Sequence, residues 1–240
     1  MNREKFLSEN KIHFSYHEFF DNETLNLIED ILSVIGEDYT PKKTDIFKVF
    51  RYDLNQAKVL LLGMDPYPQK GVATGLAFEV ELDSWKDPSV NTSLKNMLKL
   101  IYKSYYGEIL SIEELREKIR NKEFRILSPD KLFKEWASEG VIFLNTALTT
   151  KIGKAGAHIN LWKPFTEKLL SFIGKKNPSL TYLLWGGKAQ KFEKFIVSGK
   201  IVKHNHPAIC GKLHNPQDFL NGVSFIETKK DIDWIMGEEI

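Results

Sequence analysis

Apolar positions along the chain fall into two patterns. Four short runs are apolar with little interruption: Lys58-Val59-Leu60-Leu61-Leu62-Gly63, Val141-Ile142-Phe143-Leu144, Leu180-Thr181-Tyr182-Leu183-Leu184-Trp185 and Lys200-Ile201-Val202-Lys203. Runs this short and this apolar, each stopped by glycine or polar residues, predict strands buried on both faces, as in a parallel sheet. Other stretches space their apolar residues by three and four, which predicts helices over about 92–103, 112–120, 130–138, 163–174 and 188–197. Residues 1–50 also look helical, with Asn22 as the N-cap of a helix through Glu23-Thr24-Leu25 to Ile31-Leu32. Strands alternating with helical crossovers indicate an α/β fold. The expectation is a single domain over 1–240 with a central, mainly parallel four-stranded sheet flanked by helices. In it, 1–50 form a helical N-terminal part and 59–234 the core.

Composition narrows the classes. At 240 residues, 42% apolar and 28% charged, the chain is expected to be globular rather than disordered. One cysteine, Cys210, excludes an intramolecular disulfide framework and a cysteine-based zinc site, and fits a reducing compartment. No apolar run is long enough to cross a bilayer. The start, Met1-Asn2-Arg3-Glu4-Lys5, carries both signs of charge and leads into no apolar stretch of signal-peptide type. A cytoplasmic location is expected, or a nuclear or viral-factory one outside bacteria. A net charge of +2 neither demands nor excludes nucleic acid. The charge is uneven, however: residues 175–212 are rich in lysine and hold a single acidic residue, Glu193.

The candidate strands all end in small or polar residues, and open parallel sheets bind ligands beyond the carboxyl ends of their strands. Asp65-Pro66-Tyr67, Asn145-Thr146, Gly186-Gly187 and His206-Pro207 are therefore expected to converge on one cleft. Each has two readings. Asp65, in Gly63-Met64-Asp65-Pro66-Tyr67-Pro68, is either a carboxylate fixed by a stiff turn or a simple turn cap. Phe78, after Gly75-Leu76-Ala77, is either a stacking surface for a planar ligand or ordinary core. The Asn145 amide is either a reader of a heterocycle's edge or a buried cross-brace. His206 is either a donor to a developing oxyanion or a bystander.

Taken together, these segments resemble uracil-DNA glycosylases, most closely the family 1 type. Gly63-Met64-Asp65-Pro66-Tyr67 is similar to the family's water-activating loop. Gly75-Leu76-Ala77-Phe78 and the serine-bearing Ser93-Leu94-Lys95-Asn96-Met97 follow. Phe143-Leu144-Asn145-Thr146-Ala147-Leu148-Thr149, Leu183-Leu184-Trp185-Gly186-Gly187-Lys188-Ala189-Gln190-Lys191, His206-Pro207 and Asp233-Trp234 complete a collinear series. The resemblance implies hydrolysis of the N-glycosidic bond of deoxyuridine in DNA, without metal or other cofactor, by a monomer acting on single or double strands. It implies Asp65 as the catalytic carboxylate and His206 as hydrogen-bond donor to the leaving base. Met64, Tyr67, Phe78 and Asn145 would bind uracil. Ser93, Gly187 and Lys188 would grip phosphates. Leu213 would fill the gap left by the everted base, with Cys210 as its alternative.

The chain departs from the family pattern in places. Met64 replaces glutamine, Pro68 and Thr74 replace histidines, and Gly187 and Ala208 replace serines. The loop after His206 carries a short insertion. These departures leave open a glycosylase for another modified pyrimidine, or a non-catalytic reader of uracil or abasic sites.

Overall fold

The computed structural model describes residues 2–211 and 214–236. Six strands and eight α-helices organise them: β1 (Tyr39–Thr40), β2 (Val59–Gly63), β3 (Val141–Asn145), β4 (Thr150–Lys151), β5 (Thr181–Trp185) and β6 (Lys200–His204), with α1 (Arg3–Glu9), α2 (Asn22–Ile35), α3 (Thr92–Tyr106), α4 (Ile112–Arg120), α5 (Pro129–Ser138), α6 (Ile159–Lys176), α7 (Gly187–Gln190) and α8 (Ser224–Thr228). The central sheet has the order β3-β2-β5-β6 and every pairing in it is parallel. β2 and β3 are buried at all five positions. This is what unbroken apolar runs require when helices cover both faces. β6 departs from the expectation of double-sided burial, because it is an edge strand and leaves Lys200 and Lys203 exposed. β1 and β4 form a separate antiparallel ribbon that the sequence pattern did not reveal.

The four core strands stand where the apolar runs placed them, and α4 spans 112–120 as expected because Ser111 and Glu114 close a reciprocal capping box at its start. Three expectations need correction. The cap of α2 is Asp21, whose carboxylate accepts from the Thr24 N–H at 2.8 Å, and Asn22 is already helical. The helix expected over 163–174 begins at Ile159 and runs through Pro164. A proline there removes one bond, to the carbonyl of Asn160. Both residues are exposed, so water can satisfy that carbonyl. Finally, 188–197 is not one helix. It is the short α7 followed by a 3-10 turn at Glu193–Phe195.

Residues 1–50 are only partly helical, since α1 and α2 are joined to 3-10 turns at Phe14–Tyr16, Lys43–Asp45 and Lys48–Arg51. An aromatic cluster ties this part to α6. Phe19 meets Phe165 edge-on at 5.3 Å, and Phe47 meets Trp162 at 6.3 Å. At the other end of the chain, Trp234 is fully buried against Trp136 and Phe225. Among the described residues no helix is long and apolar enough to cross a membrane.

The cap assignment is testable. Asp21→Ala should lower unfolding free energy by about 1 kcal/mol. Asn22→Ala should change it by well under half of that, as read from urea-denaturation midpoints. A larger loss at Asn22 would restore it as the cap.

Candidate active site

The register of the sheet builds the site. Gly63, the last residue of β2, lies opposite Asn145, the last residue of β3. A Cβ on Gly63 would stand 2.4 Å from Asn145 Oδ1 and 2.9 Å from the Ala77 Cβ. Only glycine leaves room for the amide. Asn145 is 5% exposed, and among the described residues its amide has no hydrogen-bond partner. It lines a cavity of about 170 Å³ together with Met64, Asp65, Tyr67, Phe78, Ser93 and His206. Ligand pockets for drug-sized molecules are roughly 300–1,000 Å³, so this one is scaled to a single small ring. A buried amide that lines the cavity and makes no side-chain hydrogen bond among the described residues is placed where it can meet a ligand's edge.

The loop that follows β2 is tied down by backbone and threonine. The Met64 carbonyl accepts from the Ala147 N–H at 3.0 Å and from the Thr146 hydroxyl at 2.6 Å. The Pro68 carbonyl accepts from the Gly153 N–H at 2.8 Å. Asp65 is thereby held at the cavity wall, with its Oδ2 accepting from the Gly156 N–H at 2.5 Å. Burial pushes the Asp65 carboxyl above its ordinary value. The Gly156 N–H, the Thr150 hydroxyl and the nearby His158 work against that rise. His158 is itself buried and depressed by its burial, and its Nδ1 lies 3.0 Å from Thr149 Oγ1. Thr149 also accepts from Trp162 Nε1 at 2.7 Å, so a buried chain of groups supports the carboxylate from behind.

A second relay fixes the aromatic wall. Asn91 caps α3 by accepting from the Leu94 N–H, and its Nδ2 donates to the Tyr67 hydroxyl at 2.9 Å. That hydroxyl donates to the Phe78 carbonyl at 3.2 Å, and burial pushes the Tyr67 phenol up to about 12. Phe78 adopts φ +65°, a conformation that costs a bulky residue roughly 1–3 kcal/mol. Its neighbour Glu79, 2% exposed and paired with Lys48 at 2.6 Å, helps to hold it there. Ser93, the second residue of α3, lines the cavity near the positive end of a fifteen-residue helix.

His206 has its tautomer set by the backbone. The Ala208 N–H donates to His206 Nδ1 at 3.1 Å, so in the neutral ring the proton sits on Nε2. Burial holds the imidazole below its ordinary value. The ring stacks on Phe78 at 5.9 Å and 30°. Behind it, Gly186 (φ +86°) lets the chain pass where a Cβ would stand 2.9 Å from the His206 Cβ. Asn96 of α3 donates to the Pro207 carbonyl at 2.7 Å and anchors the same loop.

Three of the four expected strand ends therefore share the cavity. The fourth does not: Gly186 backs His206, and Gly187 and Lys188 are exposed outside the cavity, with Lys188 lining a neighbouring groove. Leu213 lies outside the described residues. Cys210 is half-buried, with its thiol donating to the Pro207 carbonyl at 3.4 Å, whereas Ile209 is 72% exposed. Sequence reasoning missed Gly156, His158 and Asn91, and gave Asn96 no role of its own within its motif. Asn91 carried a readable signal as a capping residue before a helix; the others act over long sequence distances. Among the described residues no group of three or more His, Cys, Asp or Glu could hold a metal.

The chain matches the model of the Uracil DNA glycosylase superfamily over residues 50–226. It is 33% identical to the uracil-DNA glycosylase of Pectobacterium carotovorum over 177 residues, covering 72% of this chain and 68% of that one. It is 31% identical to the uracil-DNA glycosylase of Fusobacterium nucleatum over 231 residues, covering 90% and 91%. Among solved structures, the wild-type UNG of Nitratifractor salsuginis superposes with a TM-score of 0.75 over 98% of this chain and 97% of its own, at 24% identity. The mimivirus uracil-DNA glycosylase superposes at 0.70 over 100% and 88%, at 19% identity. At those identities the structures speak for the fold.

The state of His206 can be read directly. Its imidazole ¹⁵N shifts should report a neutral ring at pH 7 with the proton on Nε2 and a titration midpoint below about 6.5. A midpoint at or above that value, or a proton on Nδ1, would remove it as a neutral donor.

Proposed function

The chain belongs to the uracil-DNA glycosylase superfamily, and from that premise we propose how its own residues carry out the reaction. It is a DNA-repair hydrolase that cleaves the N-glycosidic bond of deoxyuridine and leaves an abasic site. The observation that carries the assignment of roles is the unpartnered Asn145 amide facing Asp65 and His206 across a cavity of single-ring size. We take the whole chain to act as one domain.

A base inside a duplex cannot reach such a cavity, so the nucleotide must leave the stack. Once inside, uracil offers an N3–H donor beside an O4 acceptor, which matches the acceptor and donor of an amide. Cytosine presents the reverse pattern and would leave buried groups unpaired. Tyr67, braced by Asn91 and Phe78, fills the space a thymine methyl needs, and Phe78 packs on the ring. Met64 lines the cavity beside Asn145 and is assigned to base binding. As the glycosidic bond breaks, negative charge gathers on the base and positive charge on the sugar. Neutral His206 donates Nε2–H to the base oxygen. This interaction strengthens only as the bond breaks, which is the kind that accelerates a step. Asp65 as a carboxylate stabilises the sugar cation and orients water for attack at the anomeric carbon. Its Gly156 hydrogen bond and the His158 behind it favour ionisation against the cost of burial.

Ser93, Gly187 and Lys188 are assigned to the phosphates of the bent strand. The wedge belongs to the loop after Pro207. Leu213 is assigned to it, with Cys210 as the alternative; among that loop's described residues Ile209 is 72% exposed, while the Cys210 thiol donates to the Pro207 carbonyl.

Two experiments test this reading. Uracil-bearing oligonucleotides, treated with the protein in chelator and then with alkali, should break at the uracil. Asp65→Asn should slow that reaction roughly 100-fold or more with the fold intact. The acid limb of kcat/KM should lie above the ordinary aspartate value, because the carboxyl that must be ionised is raised. Near-parental turnover by Asp65→Asn would break the role assignment. Separately, Gly63→Ala should displace the Asn145 amide and cut kcat/KM by roughly 100-fold while the circular dichroism spectrum is kept. A folded Gly63→Ala protein with parental kinetics would sink the edge-reading role of Asn145.

A further inference from the structure

A second cavity adjoins the base pocket at its aromatic wall. It measures about 360 Å³ against about 170 Å³ for the pocket, and among the described residues Tyr67 alone lines both. The Tyr67 ring therefore divides two spaces. In the second space stand Val72, Val80 and Leu82, apolar surface on which an aromatic ring can lie. With room on both sides, the position of the ring is set by its hydroxyl. The phenol has one proton, which it gives to the Phe78 carbonyl at 3.2 Å. Its oxygen accepts from Asn91 Nδ2 at 2.9 Å. The first bond alone would leave the ring a pivot, and the second removes that freedom. Asn91 is held in turn, because its Oδ1 accepts from the Leu94 N–H at 3.1 Å at the start of α3. With the oxygen committed to the helix, the amide nitrogen is turned to Tyr67. Capping by itself does not call for an amide, since Ser and Asp cap about as well. An ionised aspartate has no proton to offer the phenol, and serine is too short to reach it. Of the three, only asparagine serves both the helix and the ring.

We propose that Asn91 is a specificity-determining positioning residue: a latch that holds Tyr67 against the base pocket, with the adjoining cavity as the space the ring enters when released. The proposal rests on the glycosylase reading above, in which Tyr67 fills the space beside C5 of uracil. It moves the control of that space from the ring to the amide that aims it. Tyr67 supplies the bulk, and Asn91 decides on which side of the partition the bulk stands. With the latch cut, the ring can turn toward Val72, Val80 and Leu82. The pocket then gains room for a small substituent on C5, and the ligands it takes widen from uracil to C5-substituted uracils. One methyl-sized difference in a pocket discriminates by roughly 10–200-fold. A shift of the ring by that much changes which pyrimidines enter while Asp65 and His206 stay where they are.

The test uses the full chain carrying Asn91→Ser, which keeps an oxygen for the Leu94 N–H and loses the reach to the phenol. Excision is measured as kcat/KM on single strands bearing uracil or thymine. Thymine excision should rise roughly tenfold or more relative to uracil excision. Tyr67→Phe keeps the ring, removes the hydroxyl and leaves the helix cap untouched, and it should shift the ratio in the same direction. Asn91→Ser placed on Tyr67→Phe should add nothing further, because both changes cut the same bond. Tyr67→Ala gives the reference for an open wall. A thymine gain in Tyr67→Ala, with parental discrimination in Asn91→Ser and Tyr67→Phe, would overturn the latch and leave the role of Tyr67 standing. Equal losses on uracil and thymine in Asn91→Ser would overturn it too, as the mark of a helix cap and nothing more. No thymine gain in Tyr67→Ala would overturn the placement of Tyr67 beside C5, and the latch with it. Absence of uracil excision by the unmodified protein would overturn the glycosylase reading itself, a failure seen before any variant is made.

Discussion

Everything at the site depends on one packing constraint: four parallel strands held in register, with β2, β3 and nearly all of β5 buried on both faces and β6 exposing Lys200 and Lys203 at the edge. Inside such a sheet there is no place for polar side chains, so chemistry is confined to the strands' carboxyl ends. The register then decides which ends meet. Because Gly63 falls opposite Asn145, the absence of one methyl group determines whether an amide can stand at the floor of the cavity. The loop carrying Asp65 leaves from that same glycine, and its carbonyls are bound by Thr146 and Ala147, the residues just past Asn145. Carboxylate and amide are thus placed by one strand pair. His206 arrives from the far edge, where Trp185 pairs with His204 and the Gly186 turn gives the imidazole its space.

The electrostatics follow from the same burial. Desolvation raises Asp65 and lowers His206, so each group is pushed toward its neutral form. For the donor role proposed for the histidine that direction is favourable, since a neutral ring with its proton on Nε2 offers a hydrogen bond that strengthens as charge gathers on the leaving base. For the aspartate it opposes the chemistry, and the structure answers with specific groups. A backbone N–H, a threonine hydroxyl and an imidazole offset part of that rise. The strain at Phe78 belongs to the same logic. An unfavourable φ persists because Tyr67 binds its carbonyl and a buried ion pair follows it in the chain. The wall of the pocket is stiff because several weak constraints meet on one residue.

Much of this was legible in the sequence, and the exceptions have physical reasons. Short apolar runs marked the four core strands within a residue, because burial leaves few polar positions inside them; β6, at the edge, keeps exposed lysines. Residues on strand ends could be nominated together, since the α/β rule ties them to one edge. The start of α6 was misplaced because proline is normally a boundary signal, and only the exposure of Asn160 makes it tolerable inside. Asp21 and Asn22 are both good caps, and neighbouring caps cannot be ranked without the backbone. Gly156 and His158 gave no signal. Their role is to meet Asp65 from more than ninety positions away, an approach made by tertiary folding. The Gly186-Gly187 turn was nominated for the cleft by its position on a strand end. Its Gly186 serves instead as clearance behind His206, a distinction that needs the neighbour's Cβ.

The lysine-rich stretch shows why net charge informs so little at sequence level. Read along the chain, residues 175–212 form a single basic block. In space the block divides, because some of its lysines are matched by glutamates from distant elements and others are left unmatched along one groove. Surface pairs of this kind add little stability. Their larger effect is to decide where positive potential remains. Glu193 illustrates the point: it lies between Lys191 and Lys194 in sequence, yet its carboxylate binds Lys203, so the groove keeps its field. A chain of nearly balanced charge can thus present an anion-attracting surface beside its base pocket, and that surface, rather than the +2 total, is the quantity a DNA strand would meet.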